Sequence, residues 1–564
     1  MLTTNKTGIS RFIENAVAQG MRHVVCSPGS RNAPLVIAID NHPEMETVVV
    51  PDERAAGFFA LGMAQQLKAP VGVVCTSGSA MLNYYPAVAE AYYQCVPLVV
   101  LSADRPEEWV NHGDGQTIFQ RGVYNNHIHS ELDIEEFIEP KDYSAFDSKI
   151  VESFEKATSG WIGPIHFNFP LSEPLYGTVE MDQLEVPPRK SNVSKSISES
   201  DKTILETAWN QSKKRMILCG QMSPDVAVLN ALVDLCEDAS VVVLVENTSN
   251  LIHPKFVHCI DRTLSAISED EIKDFQPDLL ITIGGAIISK RIKKFLRESS
   301  IENHLKIGFD FPEMDTYRKK TATILSEAGS VLKAIPALNT TAHPSQFGWK
   351  WKQKDFLIQE KMPSYVENAP YSDLTVFEVV LDSVPDSAHL HFANSSVVRY
   401  GQLFDPVKSI RYYANRGTSG IDGSSSTAAG ASFAAKNDAH VLISGDLSFF
   451  YDSNAFWNNV IGENFRVIVI NNGGGGIFRI IDGPNSTNQL ENYFETHNKA
   501  SVEGVCRTYH MEYLSARNLQ EVESQLAQLF TMDTKGRPAV LEIVTPNTEN
   551  NGVLKNFFKH FKSV

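Results

Sequence analysis

The chain has 564 residues, 43% hydrophobic and 21% charged, with a formal net charge of −17. That length accommodates about three or four domains, and the charge argues against non-specific nucleic-acid binding and against an anionic membrane surface. No apolar run is long enough to span a bilayer, the start Met1-Leu2-Thr3-Thr4-Asn5-Lys6 does not read as a signal peptide, and seven cysteines without Cys-x-x-Cys read as reduced thiols. Cys26, Cys75 and Cys95 lie in apolar segments and are expected in the core. A cytoplasmic enzyme is expected, and anionic substrates would need local clusters of Arg and Lys.

In chain order, His23 to Cys26, Thr47 to Val50, Val71 to Cys75 and Pro97 to Leu101 read as short buried strands. Helical stretches from Arg54 to Leu67 and from Ser79 to Tyr93 separate them, and Gly163 to Phe169 reads as the last strand. Buried strands alternating with helices predict a parallel sheet covered on both faces. Pro187 to Asp201 is polar and serine-rich, so it reads as a linker. A second α/β stretch has strands at Met216–Cys219, Val241–Leu244, Leu279–Ile283 and Leu305–Phe309, and a second linker is expected from Asn339 to Gln346. The third stretch returns to the first pattern, with strands at His389–Phe392, Arg411–Tyr413, Val441–Ile443, Val467–Ile470 and Ala539–Ile543. The expected fold is α/β, with three doubly wound parallel-sheet domains over residues 1–186, 187–345 and 346–564. The C-terminal Lys555 to Lys562 is basic and amphipathic, and a docked terminal helix is expected there.

The most informative segment is Ile443-Ser444-Gly445-Asp446-Leu447-Ser448 followed by Val467 to Gly474. An Asp follows one strand-like run; an Asn and four glycines follow the next, 472 − 446 = 26 residues later, about one βαβ unit. In a parallel sheet both turns face one crevice. A carboxylate oxygen, an amide oxygen and a backbone carbonyl suit a hard cation such as Mg²⁺, or Mn²⁺, whose shell is completed by phosphates and water. The glycines let backbone approach a bulky anion closely. Asp446 alone reads more readily as a turn residue or helix cap; the pairing with Asn472 at this spacing reverses that and favours the cation.

That pairing resembles the diphosphate-binding motif of thiamine-diphosphate enzymes, with Gly-Asp-Leu here where most of that superfamily has Gly-Asp-Gly. Ser27-Pro28-Gly29-Ser30-Arg31-Asn32-Ala33-Pro34-Leu35 narrows the resemblance to the 2-succinyl-5-enolpyruvyl-6-hydroxy-3-cyclohexene-1-carboxylate synthases of menaquinone and phylloquinone synthesis. Further matching pieces are Thr76 to Ala80, Asn83 to Ala87, Leu101 to Pro106, Asn394 to Arg399, Asn415 to Gly423 and Gly475 to Phe478. They cover most of the first and third stretches; the middle one matches only at Ser289-Lys290-Arg291.

The resemblance implies thiamine diphosphate with Mg²⁺ or Mn²⁺, held by Asp446, Asn472 and the Gly474 carbonyl. It implies cofactor contacts at Glu53, Thr76, Ser395, Gly420, Asp422, Gly445, Leu447, Ile477 and Phe478. Glu53, in Pro51-Asp52-Glu53-Arg54, is explained by itself as an acid in a first helical turn. By resemblance it is the carboxyl group that hydrogen-bonds the aminopyrimidine N1′ from a dry pocket that raises its pKa.

The implied reaction decarboxylates 2-oxoglutarate and adds the succinyl semialdehyde carbanion to isochorismate. Two dicarboxylates call for several cations, and Arg pairs with a carboxylate through two bonds. By resemblance these are Arg31, Arg105, Lys290, Arg399 and Arg416, with Ser30 and Gln116 adding neutral hydrogen bonds and Ile477 and Phe478 an apolar wall. Glu53, Gln116 and Arg399 are the catalytic candidates. For any single Arg, a surface ion pair is the plain alternative. In His112-Gly113-Asp114-Gly115-Gln116-Thr117, Gly115 stands where the family often carries Asn, and Asp114 must point away from an anion or pair with a cation. His23, His112 and His391 lack metal-ligand spacing and read as structural or incidental.

The superfamily places its cofactor between subunits, so a homodimer or homotetramer is expected, with Glu53 and Asp446 acting in trans. A pyruvate-using carboligase is the nearest rival. A non-catalytic nucleotide-binding protein is the rival from another class; neither Gly-x-Gly-x-x-Gly after a strand nor a Walker A sequence is present.

Overall fold

The computed structural model describes residues 1–182, 184–189, 197–338, 344–480, 483–497 and 499–562. Leu2–Thr4 (β1) and Thr178–Glu180 (β8) form a small antiparallel pair. Three larger sheets are wholly parallel. His23–Cys26 (β2), Glu46–Val49 (β3), Val71–Cys75 (β4), Leu98–Asp104 (β5), Glu131–Asp133 (β6) and Ile165–Pro170 (β7) assemble in the order β3-β2-β4-β5-β7-β6. Arg215–Cys219 (β9), Val241–Val245 (β10), Leu279–Ile283 (β11), Asn303–Ile307 (β12) and Ala322–Ile324 (β13) give β10-β9-β11-β12-β13. His389–Phe392 (β14), Arg411–Ala414 (β15), His440–Gly445 (β16), Phe465–Asn471 (β17), Glu512–Ala516 (β18) and Ala539–Val544 (β19) give β15-β14-β16-β17-β19-β18. The first and third sheets therefore share one strand order, which the chain's local patterning does not display.

Most strands seen in the sequence form because their residues are buried on both faces, as throughout β4, β5, β9 and β10, while the edge strands β3 and β15 are only partly buried. Five strands went unseen: the small pair β1 and β8, and in the parallel sheets β6, β13 and β18, which all lie at sheet edges, where a strand needs no continuous apolar run. The expected strand at Leu305–Phe309 begins and ends two residues earlier, at Asn303–Ile307.

Helix Glu53–Leu67 starts where the Asp52 carboxylate accepts from the Ala55 N–H at 3.0 Å. The single helix expected over Ser79–Tyr93 is two, Ala80–Asn83 and Tyr85–Gln94. Pro86 opens the second, where its missing N–H costs nothing. The Pro187–Asp201 linker also needs correction: helix Glu199–Gln211 begins inside it, capped by Ser198, while residues 190–196 lie outside the described residues. Of the Asn339–Gln346 linker, residues 339–343 lie outside them too, and helix Phe347–Glu367 starts directly afterwards. The C-terminal helix Glu549–Phe561 docks by Val553, Leu554, Phe557 and Phe561. No helix among the described residues is long and apolar enough to cross a membrane.

The first and third sheets share one core. Phe58, Phe59 and Leu61 of helix Glu53–Leu67 pack with Ala428 and Ala429 of helix Ser424–Ala434 and with Leu442 and Val467 of the third sheet. Two glycines allow this approach: a Cβ at Gly62 would collide with the Thr427 carbonyl, and one at Gly430 with the Phe59 carbonyl. The middle sheet is tied to the third by Asn250, which donates to the Tyr412 carbonyl at 3.0 Å and accepts from its N–H at 2.7 Å. Buried Arg262 adds an ion pair with Asp405 at 3.0 Å.

Candidate active site

The candidate side chains stand after the carboxyl ends of the parallel strands, the edge at which open α/β sheets bind ligands. In the first sheet the turn after β2 carries Ser30 and Arg31. Gly29 lies so close to Thr76, after β4, that a Cβ would overlap its side chain. Arg31 donates to the Leu171 carbonyl at 3.0 Å and pairs with Glu173 at 3.1 Å; Ser30 shares a hydrogen bond with the Tyr176 hydroxyl at 2.8 Å. Burial holds the Arg31 pKa down, and the nearby Arg105 charge adds to this. Arg105 pairs with Asp114 at 3.2 Å and donates to the Gly115 carbonyl at 3.3 Å. Asp114 thus meets its cation, and Gly115 serves through its backbone. Gln116 is exposed, its φ is +56°, and its backbone packs on Gly78 of the Thr76–Ala80 turn.

Glu53 opens its helix after β3, half-buried. Burial raises its pKa, and Asp52 adds to the rise against the pull of its own backbone N–H. Its charge reaches Cys75, at the end of β4, and Tyr84, between helices Ala80–Asn83 and Tyr85–Gln94. Among the described residues no hydrogen bond or ion pair joins Glu53 to Asp446, Asn472 or Asp422.

A second cationic group lies between the middle and third sheets. Arg399 donates to the Ser395 carbonyl at 2.6 Å, and Arg416 to the Asn394 side chain at 2.7 Å. Burial lowers the pKa of both, Arg399 lowers that of Arg416 further, and the Arg416 Nε is buried without a partner. Burial also lowers the Lys293 pKa, with Arg416 and Lys290 adding to the drop. Sequence reasoning missed the counter-charges. Glu246, pushed up to about 7 by burial, accepts from the N–H groups of Ile288 and Ser289 at 2.6 and 2.7 Å. Asp261 accepts from the Ser289 hydroxyl. Together they pin the turn that presents exposed Lys290.

Asp446 and Asn472 follow adjacent parallel strands β16 and β17. Asn394, beside Ser395, donates to the Gly420 carbonyl at 2.7 Å, and Ser448 to the Ile421 carbonyl at 3.0 Å. The loops of Ser395, Gly420–Asp422 and Gly445–Leu447 therefore adjoin. Asp446 is 2% exposed and Asn472 7%. Asp446 Oδ2 and Asn472 Oδ1 are buried without any hydrogen-bond partner. Burial pushes the Asp446 carboxyl up to about 7, the Leu447 N–H opposing this and the Asp373 charge assisting it. Two orphaned acceptors, one an unfavourably buried carboxylate, fit a divalent cation, which would satisfy both and restore the ionised form. The next turn suits an anionic ligand: Gly473 has φ +80° with open space where a Cβ would stand, and Gly474 has φ +150°. Ile477 is 8% exposed and Phe478 partly buried against Phe494. Asp373, Thr545 and Glu542, which support this turn, carried no sequence signal.

The chain matches three families in sequence. Residues 6–136 match the thiamine pyrophosphate enzyme N-terminal TPP binding domain, 189–392 the middle domain of thiamine pyrophosphate enzymes, and 395–543 the C-terminal TPP binding domain. It is 42% identical to the 2-succinyl-5-enolpyruvyl-6-hydroxy-3-cyclohexene-1-carboxylate synthase of Flavobacterium psychrophilum, over 97% of this chain and 98% of that protein. It is 41% identical to the synthase of the same name from Christiangramia forsetii, over 97% of both, and 38% identical to that of Porphyromonas gingivalis, over 99% and 97%. Similarity of this extent, over all three sheets and the turns that line the crevice, makes the chain a member of the 2-succinyl-5-enolpyruvyl-6-hydroxy-3-cyclohexene-1-carboxylate synthase family of thiamine pyrophosphate enzymes.

Proposed function

We propose that this carboligase of menaquinone biosynthesis decarboxylates 2-oxoglutarate and joins the resulting four-carbon unit to isochorismate, with thiamine diphosphate and Mg²⁺ or Mn²⁺. The observation that carries the cofactor reading is the pair of orphaned acceptors, Asp446 Oδ2 and Asn472 Oδ1, at the ends of adjacent parallel strands. Those two side chains and the Gly474 carbonyl would hold the cation, and the glycine turn would admit the diphosphate. Bound thiamine diphosphate supplies the carbon nucleophile and the electron sink for loss of CO₂.

The protein supplies charge, orientation and a proton. The Glu53 carboxyl, raised by burial, would share a proton with a ring nitrogen of the cofactor. Thr76, Ser395, Gly420, Asp422, Gly445 and Leu447 would line the cofactor, with Ile477 and Phe478 as its apolar wall. Arg399, Arg416 and Lys290 form one cation group and Arg31 and Arg105 another, matching substrates with two carboxylates each. Ser30 and Gln116 would add neutral hydrogen bonds. A homodimer or larger homo-oligomer is the expected assembly, with Glu53 reaching the Asp446 of a neighbouring subunit.

The test is an assay with 2-oxoglutarate, isochorismate, thiamine diphosphate and Mg²⁺, following loss of isochorismate absorbance. Turnover that needs all four components is expected. Turnover with pyruvate in place of 2-oxoglutarate at equal kcat/KM would refute the substrate reading.

A further inference from the structure

We infer that Asp373 is a positioning residue that fixes the Asn472 amide with its oxygen on the open side, an inference that rests on reading Asp446 and Asn472 as cation ligands. Asp373 stands in the first turn of helix Asp373–Ser383 and is 2% exposed. Its Oδ2 accepts from Asn472 Nδ2 at 3.1 Å, and its Oδ1 from the Thr545 hydroxyl at 2.6 Å. Its N–H donates to Asn550 Oδ1 at 2.8 Å, and Asn547 Nδ2 donates to the Asn472 carbonyl at 2.9 Å. Among the described residues Asp373 has no cationic partner, so its burial is not offset by an ion pair.

Both Asp373 carboxyl oxygens accept, Oδ1 from the Thr545 hydroxyl and Oδ2 from Asn472, so the group of Asn472 that faces Asp373 is the NH₂. The amide oxygen is then turned away from Asp373, and that oxygen is the buried one without a partner. A reversed amide would set oxygen against carboxylate and present N–H groups to a cation. Thr545, by donating to Oδ1, holds the carboxylate in the plane that keeps Oδ2 on Asn472. The arrangement is that of an outer-shell group orienting a metal ligand.

The experiment measures Mn²⁺ binding to the full-length protein by electron paramagnetic resonance in the presence of thiamine diphosphate, with thermal melts as the check on folding. Asp373→Asn is expected to weaken Mn²⁺ binding about 10- to 100-fold. In the double variant Asp373→Asn/Asn472→Asp, the new carboxylate accepts from the new amide and still offers an oxygen to the cation. Most of the lost affinity should return. Asn472→Asp alone opposes two carboxylates and should bind more weakly than the double variant. Asp373→Asn binding like wild type, a double variant no tighter than Asp373→Asn, or Asn472→Asp as tight as the double variant would each overturn the inference. Should Asp373→Asn not fold, Thr545→Val loosens Asp373 without touching either ligand and is expected to cost severalfold; unchanged affinity there overturns the inference. Asp446→Asn separates the two levels: if it leaves Mn²⁺ binding intact, the reading of the cation site itself fails.

Discussion

Replacing Gly62 by Ala tests whether the first and third sheets share one core. In an ordinary helix interior this change stabilises by up to about 1 kcal/mol, because Ala is the better helix former. At Gly62 the added Cβ meets only backbone, the Thr427 carbonyl and the Ala431 nitrogen, so no side chain can swing aside. Helices Glu53–Leu67 and Ser424–Ala434 would have to part by roughly 1.5 Å to restore ordinary contact. Parting them loosens Phe58 and Phe59 against Ala428 and Ala429. Overpacking of this kind costs about 1–3 kcal/mol, which for a cooperative unit of domain size lowers Tm by about 2–12 °C. The measurement is a thermal melt of Gly62→Ala beside wild type by circular dichroism. A Tm equal to or above wild type would show that the helices are not locked by that contact, and the shared-core reasoning would fall.

Other outcomes follow from the site. Glu53→Gln should lower turnover about 100- to 10,000-fold, the range for removing a general acid–base group, with an unchanged far-UV spectrum; wild-type-like turnover would remove its role. Arg399→Ala should raise KM for 2-oxoglutarate about tenfold or more, the worth of a charge-assisted hydrogen bond, while thiamine diphosphate affinity measured by calorimetry stays put; equal losses in both would count against it. His440, on the sheet edge away from the site, is held near 3 by burial and by His389. The unfolded chain therefore takes up that proton below about pH 6.5 while the folded one does not, so the residue's contribution to stability is intact above pH 6.5 and falls as pH drops. The stability of wild type relative to His440→Gln should decline by about 2 kcal/mol between pH 6.5 and 5, read from urea unfolding at each pH; a difference independent of pH would refute the buried-neutral assignment.

Much of the site was legible because its chemistry is written in local units. A strand, a turn with one chemical group and a helix start form one short segment, and Asp446, Asn472, Glu53 and Ser30-Arg31 each stand in such a segment. Parallel pairing then carries those turns to one edge, as the registers of β16 with β17 and of β2 with β4 show. Groups that act by facing a distant part of the chain gave no such signal. Asp373 reads as an ordinary helix-start acid, Glu246 as the end of a strand, and Thr545 as a turn residue; the roles of Asp373 and Thr545 exist only where the turns after β17 and β19 meet a helix start, and that of Glu246 only where the turns after β10 and β11 meet. Edge strands β6, β13 and β18 escaped notice because a strand paired on one side needs little apolar sequence.

By itself the sequence determined which residues can carry charge, bind a hard cation and reverse the chain, because side-chain chemistry, hydrophobic period and turn geometry are local properties. Only the tertiary structure decided which lone pairs are left without partners, which cations repel one another in burial, and that the first and third sheets share both a strand order and a core. Those depend on desolvation and on contacts between residues hundreds of positions apart, which no local pattern encodes.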